Sequence, residues 1–326
     1  MNKRMPIIII SLMATFSLLV ACGSNATSSS AKEKEVTTKT RSIKHAMGTA
    51  QVPDNPKKVV ILTNEGTEAL LSLGVNPVGA VKSWKGDPWY DYIADDMKGV
   101  KDVGLETEPN VEAIATLEPD LIIGNKVRHE KIYDQLNQIA PTVFAEKLSG
   151  NWKENLLLYA KTVNKEKEGT QLVADFDKRV DSISQKLGNQ KEKKVSIVRF
   201  LAGQSRIYYT DSFPGIILKD LGFKHSEKQE KLFSKQKDKF MFATDSKENI
   251  PDMDGDVLFY FTYTADDNKE NIEWTNKWTN DPLWKNLKAV KSKNAYEVDD
   301  IVWTTAGGIK AANMLLDDIE TYFLKK

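Results

Sequence analysis

Four cations stand where apolar strands run out. "VSIVRF" (195–200) carries Arg199 near the end of an apolar run, and "RIYY" (206–209) opens with Arg206. Between them "LAGQS" holds Gly203 and reads as a hairpin connection. In the first half, "LIIG" (121–124) is followed by "NKVRHE", which carries Lys126 and Arg128. Arginine donates in parallel pairs and stays charged at any physiological pH, so such a set suits a planar oxyanion. Aromatic surface adjoins these cations: Trp84 in "KSWKGDPWY", Tyr208 and Tyr209, and Trp303 in "WTTAGG". Any one arginine could simply snorkel from a strand end into water. Four that all follow strands point to one anion-binding gap, because open α/β sheets bind ligands outside the carboxyl ends of their strands.

The elements that must hold these residues alternate. "VVIL" (59–62), "PVGAV" (77–81), "LIIG" (121–124) and "TVF" (142–144) are short apolar runs; "GTEALLSLG", "PNVEAIATLEPD" and "HEKIYDQLNQIA" between them have helical period. Such alternation predicts a parallel, helix-covered sheet. From Lys165 to Leu187 the apolar residues Leu172, Val173, Phe176, Val180, Ile183 and Leu187 recur at threes and fours, which predicts one long amphipathic helix. Alternation then restarts with "VSIVRF", "SFPGIILKDLG", "VLFYFTY" and "AYEVD", and ends in the helical "AGGIKAANMLLDDIETYFL". The expected fold class is α/β: two α/β lobes, residues 42–163 and 191–326, joined by one long rigid helix over 164–190.

The lobes share a piece of grammar. "PNVEAI" puts Glu112 in the first turn of a helix, and "DSKENI" puts Glu248 two residues past a Ser246 cap. The helix dipole favours acidic residues there, so on the residues alone both read as capping-type surface carboxylates.

The N-terminus reads as an export signal. Lys3 and Arg4 precede an apolar run from Ile7 to Val20, too short to span a bilayer comfortably. "LVAC" then places small or aliphatic residues before Cys22, the one cysteine of the chain. This resembles the lipobox of bacterial lipoproteins, in which the thiol is alkylated by diacylglycerol and the signal is cut before it. It implies a signal peptide over 1–21 and a Cys22 anchor carrying more than one acyl chain. Residues 22–41 are mostly polar, rich in Ser and Thr, and read as a flexible tether. With Cys22 consumed no disulfide is possible, so the folded part must be large enough to be stable through its core alone. Formal net charge is zero, which excludes the basic excess of a nucleic-acid binder.

"SIKHAMG", "PDNPKKVVIL", "GVNPVGAVKSW", "PNVEAIATLEPDLIIGNKVR", "KIYDQLNQIAPTV", "RIYY", "GIILKDLGF", "DSKENIP" and "WTTAGG" run in this order from about residue 42 to the end. As an ordered set they resemble the siderophore-binding lipoproteins of Gram-positive ABC importers. The nearest subgroup takes up citrate-based siderophores such as staphyloferrin B and schizokinen. The resemblance implies the helix-spined, class III two-lobed fold, whose lobes shift modestly on ligand binding. It implies that Arg128, Arg199 and Arg206 contact the ligand, with Lys126, Trp84, Tyr208, Trp303 and Thr304 beside them. It also implies that Glu112 and Glu248 engage arginines of a permease, reversing the capping reading. One departure is that the subgroup's Trp-Asn-Leu-Ala-Gly-Gly is "WTTAGG" here, with Thr304 in place of a longer amide donor, which leaves the siderophore open.

The implied protein is a monomeric, non-enzymatic receptor, lipid-anchored on the extracellular face of a Gram-positive cytoplasmic membrane. Its partners are a ferric siderophore and an ABC permease with its cytoplasmic ATPase. Iron is caged by the hard oxygen donors of the chelator, so no protein metal ligand is needed. A direct metal binder is disfavoured by a chain with only three histidines, His45, His129 and His225. A haem-binding protein of the same architecture is the alternative, although no axial pair stands out. A secreted lipoprotein enzyme is a further one, but no Gly-x-Ser-x-Gly elbow, His-Glu-x-x-His or phosphate-binding glycine loop occurs. "DMDGD" lacks the terminal glutamate of a calcium loop.

Overall fold

A computed structural model describes residues 39–265 and 268–324. The signal, Cys22 and most of the expected tether lie outside the described residues.

The expected α/β architecture of two lobes and one linking helix is the one observed. A hairpin of β1 (Thr40–His45) and β2 (Gly48–Pro53), which the sequence reading did not anticipate, precedes the first sheet. That sheet contains β3 (Val59–Ile61), β4 (Gly79–Lys82), β5 (Lys101–Leu105), β6 (Glu108–Pro109), β7 (Leu121–Asn125) and β8 (Thr142–Ala145). Their order is β6-β5-β4-β3-β7-β8, parallel apart from β6. The second sheet holds β9 (Val195–Leu201), β10 (Gln204–Tyr208), β11 (Met241–Thr244), β12 (Val257–Thr262) and β13 (Ala295–Glu297), in the order β11-β10-β9-β12-β13. Strands β9, β12 and β13 are parallel, and β10 and β11 fold back antiparallel.

The spine helix, Glu166–Leu187, buries Phe176, Val180, Ile183 and Leu187, the stripe its period predicts, and ends at Gly188 with φ +50. At 22 residues it is about 33 Å long. Phe176 meets Trp152 edge-on at 4.9 Å, in a helix (Trp152–Thr162) that the sequence reading passed over. One hydrophobic core runs through Val59, Ile61 and Ile123 of the first sheet, Phe176 and Val180 of the spine, and Ile197, Val257 and Phe259 of the second.

A second tie bears on the cleft. Glu68, on the helix Asn64–Ser72 that follows β3, is fully buried. Its Oε2 accepts hydrogen bonds from the backbone N–H groups of Lys310 (2.8 Å) and Ala311 (3.0 Å), in the first turn of the terminal helix Ile309–Phe323. Tyr92 donates its hydroxyl to Oε1. The N-cap position of that helix is Gly308, which has no side chain to offer. A carboxylate from the other lobe therefore serves as its cap and meets the positive end of its dipole. A Cβ on Gly308 would come within 2.5 Å of Glu68 Oε2, so the glycine is required by this approach.

Glu68→Ala removes the cap and leaves the Tyr92 hydroxyl without its acceptor. We expect a loss of about 2–4 kcal/mol, summing a cap with an orphaned buried donor. It should appear as a lower urea midpoint at an unchanged slope. A wild-type midpoint would show that the cap contributes nothing.

Candidate functional site

A cavity of about 500 Å³ opens between the carboxyl ends of the two sheets. Nearly every parallel strand supplies its lining through the segment that follows it. Glu65 comes after β3, Trp84 after β4, Glu106 after β5, Arg128 after β7, and Leu148 after β8. From the second lobe, Tyr263 follows β12 and Thr304 to Gly307 follow β13, while Arg199, Leu201, Arg206 and Tyr208 come from the β9–β10 hairpin. The cavity thus sits where ligands of open α/β sheets are bound.

The hairpin register explains why arginines sit where a core would carry leucines. Arg199 and Arg206 are cross-strand partners, and Phe261 of β12 pairs with Arg199 on its other side. Side chains alternate faces, so Ile197 and Phe259 share a row with Arg199 and Phe261. That row begins inside the core and runs past its edge into the cleft. The same face is apolar while covered and cationic where it emerges.

Arg199, 8% exposed, is held on several sides. Its Nε lies 2.7 Å from Asp300 Oδ1, and its Nη2 donates to Asp300 Oδ2 and to Thr305 Oγ1, both at 2.9 Å. Its guanidinium carbon lies 4.6 Å from the centre of the Tyr263 ring. Asp300, which the sequence reading missed, also accepts the Thr264 N–H at 3.2 Å. Arg206 differs. Its Nε donates to Gln204 Oε1 at 2.7 Å, and among the described residues no carboxylate pairs with it.

On the facing wall, Arg128 is 40% exposed at its side chain, with its Nε 3.6 Å from Glu106 Oε1. Glu106 Oε2 accepts from the Asn64 backbone and side-chain amides, both at 2.9 Å. His129 stands behind: its Nε2 donates to the Glu106 carbonyl at 2.8 Å, and its Nδ1 accepts the Asn125 N–H at 3.1 Å. Burial pushes its pKa down to about 4, so the imidazole is neutral and fixes the Glu106 backbone rather than touching the cavity.

Of the residues expected at the ligand, Arg128, Arg199, Arg206, Trp84, Tyr208 and Thr304 line this one cavity. Two do not. Trp303 is 0% exposed: its ring packs on Phe259 at 4.5 Å and its Nε1 donates to Asp318, so the residue supports the wall from behind. Lys126 occupies the first turn of the short helix Lys126–His129 and pairs with Glu146 at 3.2 Å, outside the lining. The expectation that both cations of "NKVRHE" enter the cleft is thereby corrected, because the chain turns helical at once and separates them. Glu112 is exposed in the first turn of the helix Val111–Thr116, whose cap is Asn110. Glu248 is exposed in the 3-10 turn Lys247–Met253, capped by Ser246. Among the described residues neither carboxylate forms an ion pair.

Sequence reasoning missed Glu65 and Glu106. Both follow strands, the criterion that found the arginines. Glu65 fell between the strand read over 59–62 and the helix read from Gly66 and was passed over, and "KDVGL" before Glu106 was not recognised as a strand.

Two α/β lobes on a helical spine, with a lined cleft at their strand ends, define a ligand-capturing receptor. The chain belongs to the periplasmic binding protein family, whose model matches residues 59–302. It is 70% identical to the probable siderophore-binding lipoprotein YfiY of Bacillus subtilis, over 100% of this chain and 99% of that protein. It is 32% identical to the achromobactin-binding periplasmic protein of Dickeya dadantii, covering 81% of this chain and 85% of the relative. In structure it is similar to Staphylococcus aureus SirA complexed with staphyloferrin B, with TM-score 0.80, 38% identity, and coverage of 86% of this chain and 98% of that one.

The unequal anchoring of the two hairpin arginines has a measurable consequence. Arg199→Ala leaves Asp300 buried without its counter-charge and should cost about 3–5 kcal/mol of stability. Arg206→Ala breaks only the bond to Gln204 and should shift the urea midpoint little. Equal losses in the two variants would contradict this division of labour.

Proposed function

We propose that the protein is a surface receptor that captures a ferric siderophore in this cavity and delivers it to an ABC permease. The observation that carries the reading is Arg206, a cation on the wall that no described carboxylate opposes. Arg199 and Arg128 are each paired with one carboxylate, so the wall presents a modest positive excess. That excess suits a complex whose outer surface keeps a small negative charge, such as a citrate-centred carboxylate or hydroxamate chelate. Trp84, Tyr208, Phe240 and Tyr263 offer apolar faces for the carbon arms of such a chelator. Iron would arrive already caged by hard oxygen donors. Among the described residues no three metal-binding side chains converge. Among the described residues, the cavity lining carries no His, Met or Cys that could serve a haem as axial ligand.

The names of the relatives support the same reading: one is a siderophore-binding lipoprotein, one binds achromobactin, and one was solved with staphyloferrin B. Cys22 would carry the lipid that holds the receptor at the outer face of the cytoplasmic membrane. Glu112 and Glu248, unpaired and exposed, would each present a carboxylate to the permease.

The binding test uses purified protein and ferric schizokinen, ferric staphyloferrins A and B, a linear ferric hydroxamate and a ferric catecholate. The charge-transfer band of at least one citrate-centred complex should remain with the protein through desalting. Arg206→Ala and Arg128→Ala should weaken that complex by about 2 kcal/mol or more. Unchanged affinity in both would remove the basic-cleft model. For docking, the double substitution Glu112→Ala with Glu248→Ala should leave binding intact and abolish cellular iron uptake. Normal uptake in that double variant would refute the assignment.

A further inference from the structure

Glu65 is a cavity-lining carboxyl group that no cation neutralises among the described residues. The other carboxylates here are accommodated by pairing: Glu106 on the wall meets Arg128, and Asp300 behind the wall meets Arg199. Glu65 instead receives two neutral donors on one oxygen. Asn155 Nδ2 lies 2.6 Å and the Tyr159 hydroxyl 3.0 Å from Oε1, and both come from the helix Trp152–Thr162. Its Oε2 has no protein partner among the described residues. The side chain is almost buried, the residue being 6% exposed. An ionised carboxylate so placed would be costly to bury unpaired and would repel an anionic ligand.

Resting on the anion-receptor reading above, we propose that Glu65 is a specificity-determining residue of the cavity. In its neutral form its O–H donates to an anionic oxygen of the bound complex, and in its ionised form it repels that complex. Each bound molecule would thus be read by guanidinium charge on one side and by a carboxylic acid donor on the other.

The groups facing Glu65 agree. Glu68 on the same helix is committed to the terminal helix and Tyr92. Across the cavity stand Glu106 and Arg128 from the first lobe, and Arg199, Arg206, Tyr208 and Tyr263 from the second, with Asp300 behind Arg199. Burial pushes Glu65 up to about 8, and Glu106 and Glu68 add repulsion, which together outweigh the donors Asn155 and Tyr159. The first-turn position on its helix favours the ionised form, but by less than the desolvation it must offset.

The test compares wild type with Glu65→Gln, which keeps a donor and cannot ionise. In ligand-free protein near pH 7, difference infrared spectra should show a protonated-carboxyl C=O band. That band should disappear in Glu65→Gln and titrate away in wild type as pH rises through about 8. With ferric schizokinen as probe, the ratio of wild-type to Glu65→Gln affinity should fall about tenfold per pH unit above that point. Titration of the chelate itself acts on both proteins and divides out of their ratio. Identical profiles would overturn the proposal. So would wild-type affinity that rises with pH and is lost in Glu65→Gln, since that marks an ionised carboxylate gripping an ammonium. Should no ferric complex bind, the function proposed above fails, and the infrared arm decides alone: the band upholds a neutral Glu65 and its absence overturns it.

Discussion

The cleft depends on keeping a guanidinium charged and dry at the edge of a sheet. Burying Arg199 without a partner would cost more than any ligand contact returns, so the fold must bring Asp300 to it. Asp300 lies at the start of the π-helical turn Ile301–Thr305, beyond the last strand of the same sheet. Strand β9, strand β12 through its Thr264 extension, and this turn therefore close on one ion pair. Thr305 joins the same cluster and stands two residues before Gly307, whose φ of +70 redirects the chain toward the terminal helix. Position, charge and the shape of the wall follow from that single junction.

The junction also separates two kinds of cation. Arg199 spends its donors on Asp300 and Thr305, and what remains for a ligand is its Nη1 edge beside the Tyr208 hydroxyl at 3.5 Å. Arg206 and Arg128 are looser, and each can turn toward whatever enters. On the proposed function, fixed charge would set the sign of the site, and mobile charge would let it accept chelates of different outline. On the first lobe the neutral His129 pins the Glu106 backbone, so the carboxylate that tempers Arg128 stays in place. A charged imidazole there would add repulsion to Arg128 and lose the acceptor for the Asn125 amide.

The sequence conveyed the architecture well because strand–helix alternation and the three-four spacing of the spine are local signals. It conveyed the arginines because a cation directly after an apolar run is visible in one dimension. Trp303 and Lys126 failed for one reason: adjacency to a site residue in the chain does not fix direction in space. A π-helical turn sends Trp303 inward while Thr304 and Thr305 line the cavity, and a helical turn sends Lys126 to Glu146 while Arg128 meets Glu106. The carboxyl groups were harder. Glu65, Glu106 and Asp300 acquire meaning through partners on other elements: Asn155 for Glu65, Arg128 for Glu106, and Arg199 across the sheet for Asp300. No period or motif records such pairings.

The way the lobes are tied sets limits on how the cleft can respond to a ligand. The apolar core is continuous from β3 and β7 through the spine to β9 and β12, so a wide hinge opening would expose it to water at about 25 cal/mol for each Å². Polar ties run across the same boundary. Arg179 of the spine donates to the Asn313 carbonyl and to Glu320 of the terminal helix, Lys153 bridges Asp177 and Asp220, and Glu68 caps the terminal helix from the other lobe. Accommodation must therefore fall to the parts that these ties leave free: the side chains of Arg128 and Arg206, and the hairpin tip around Gly203. On the proposed function, a wall built this way would distinguish ligands by charge and donor pattern more than by closing around them, which would place the burden of selection on Arg128, Arg206 and Glu65.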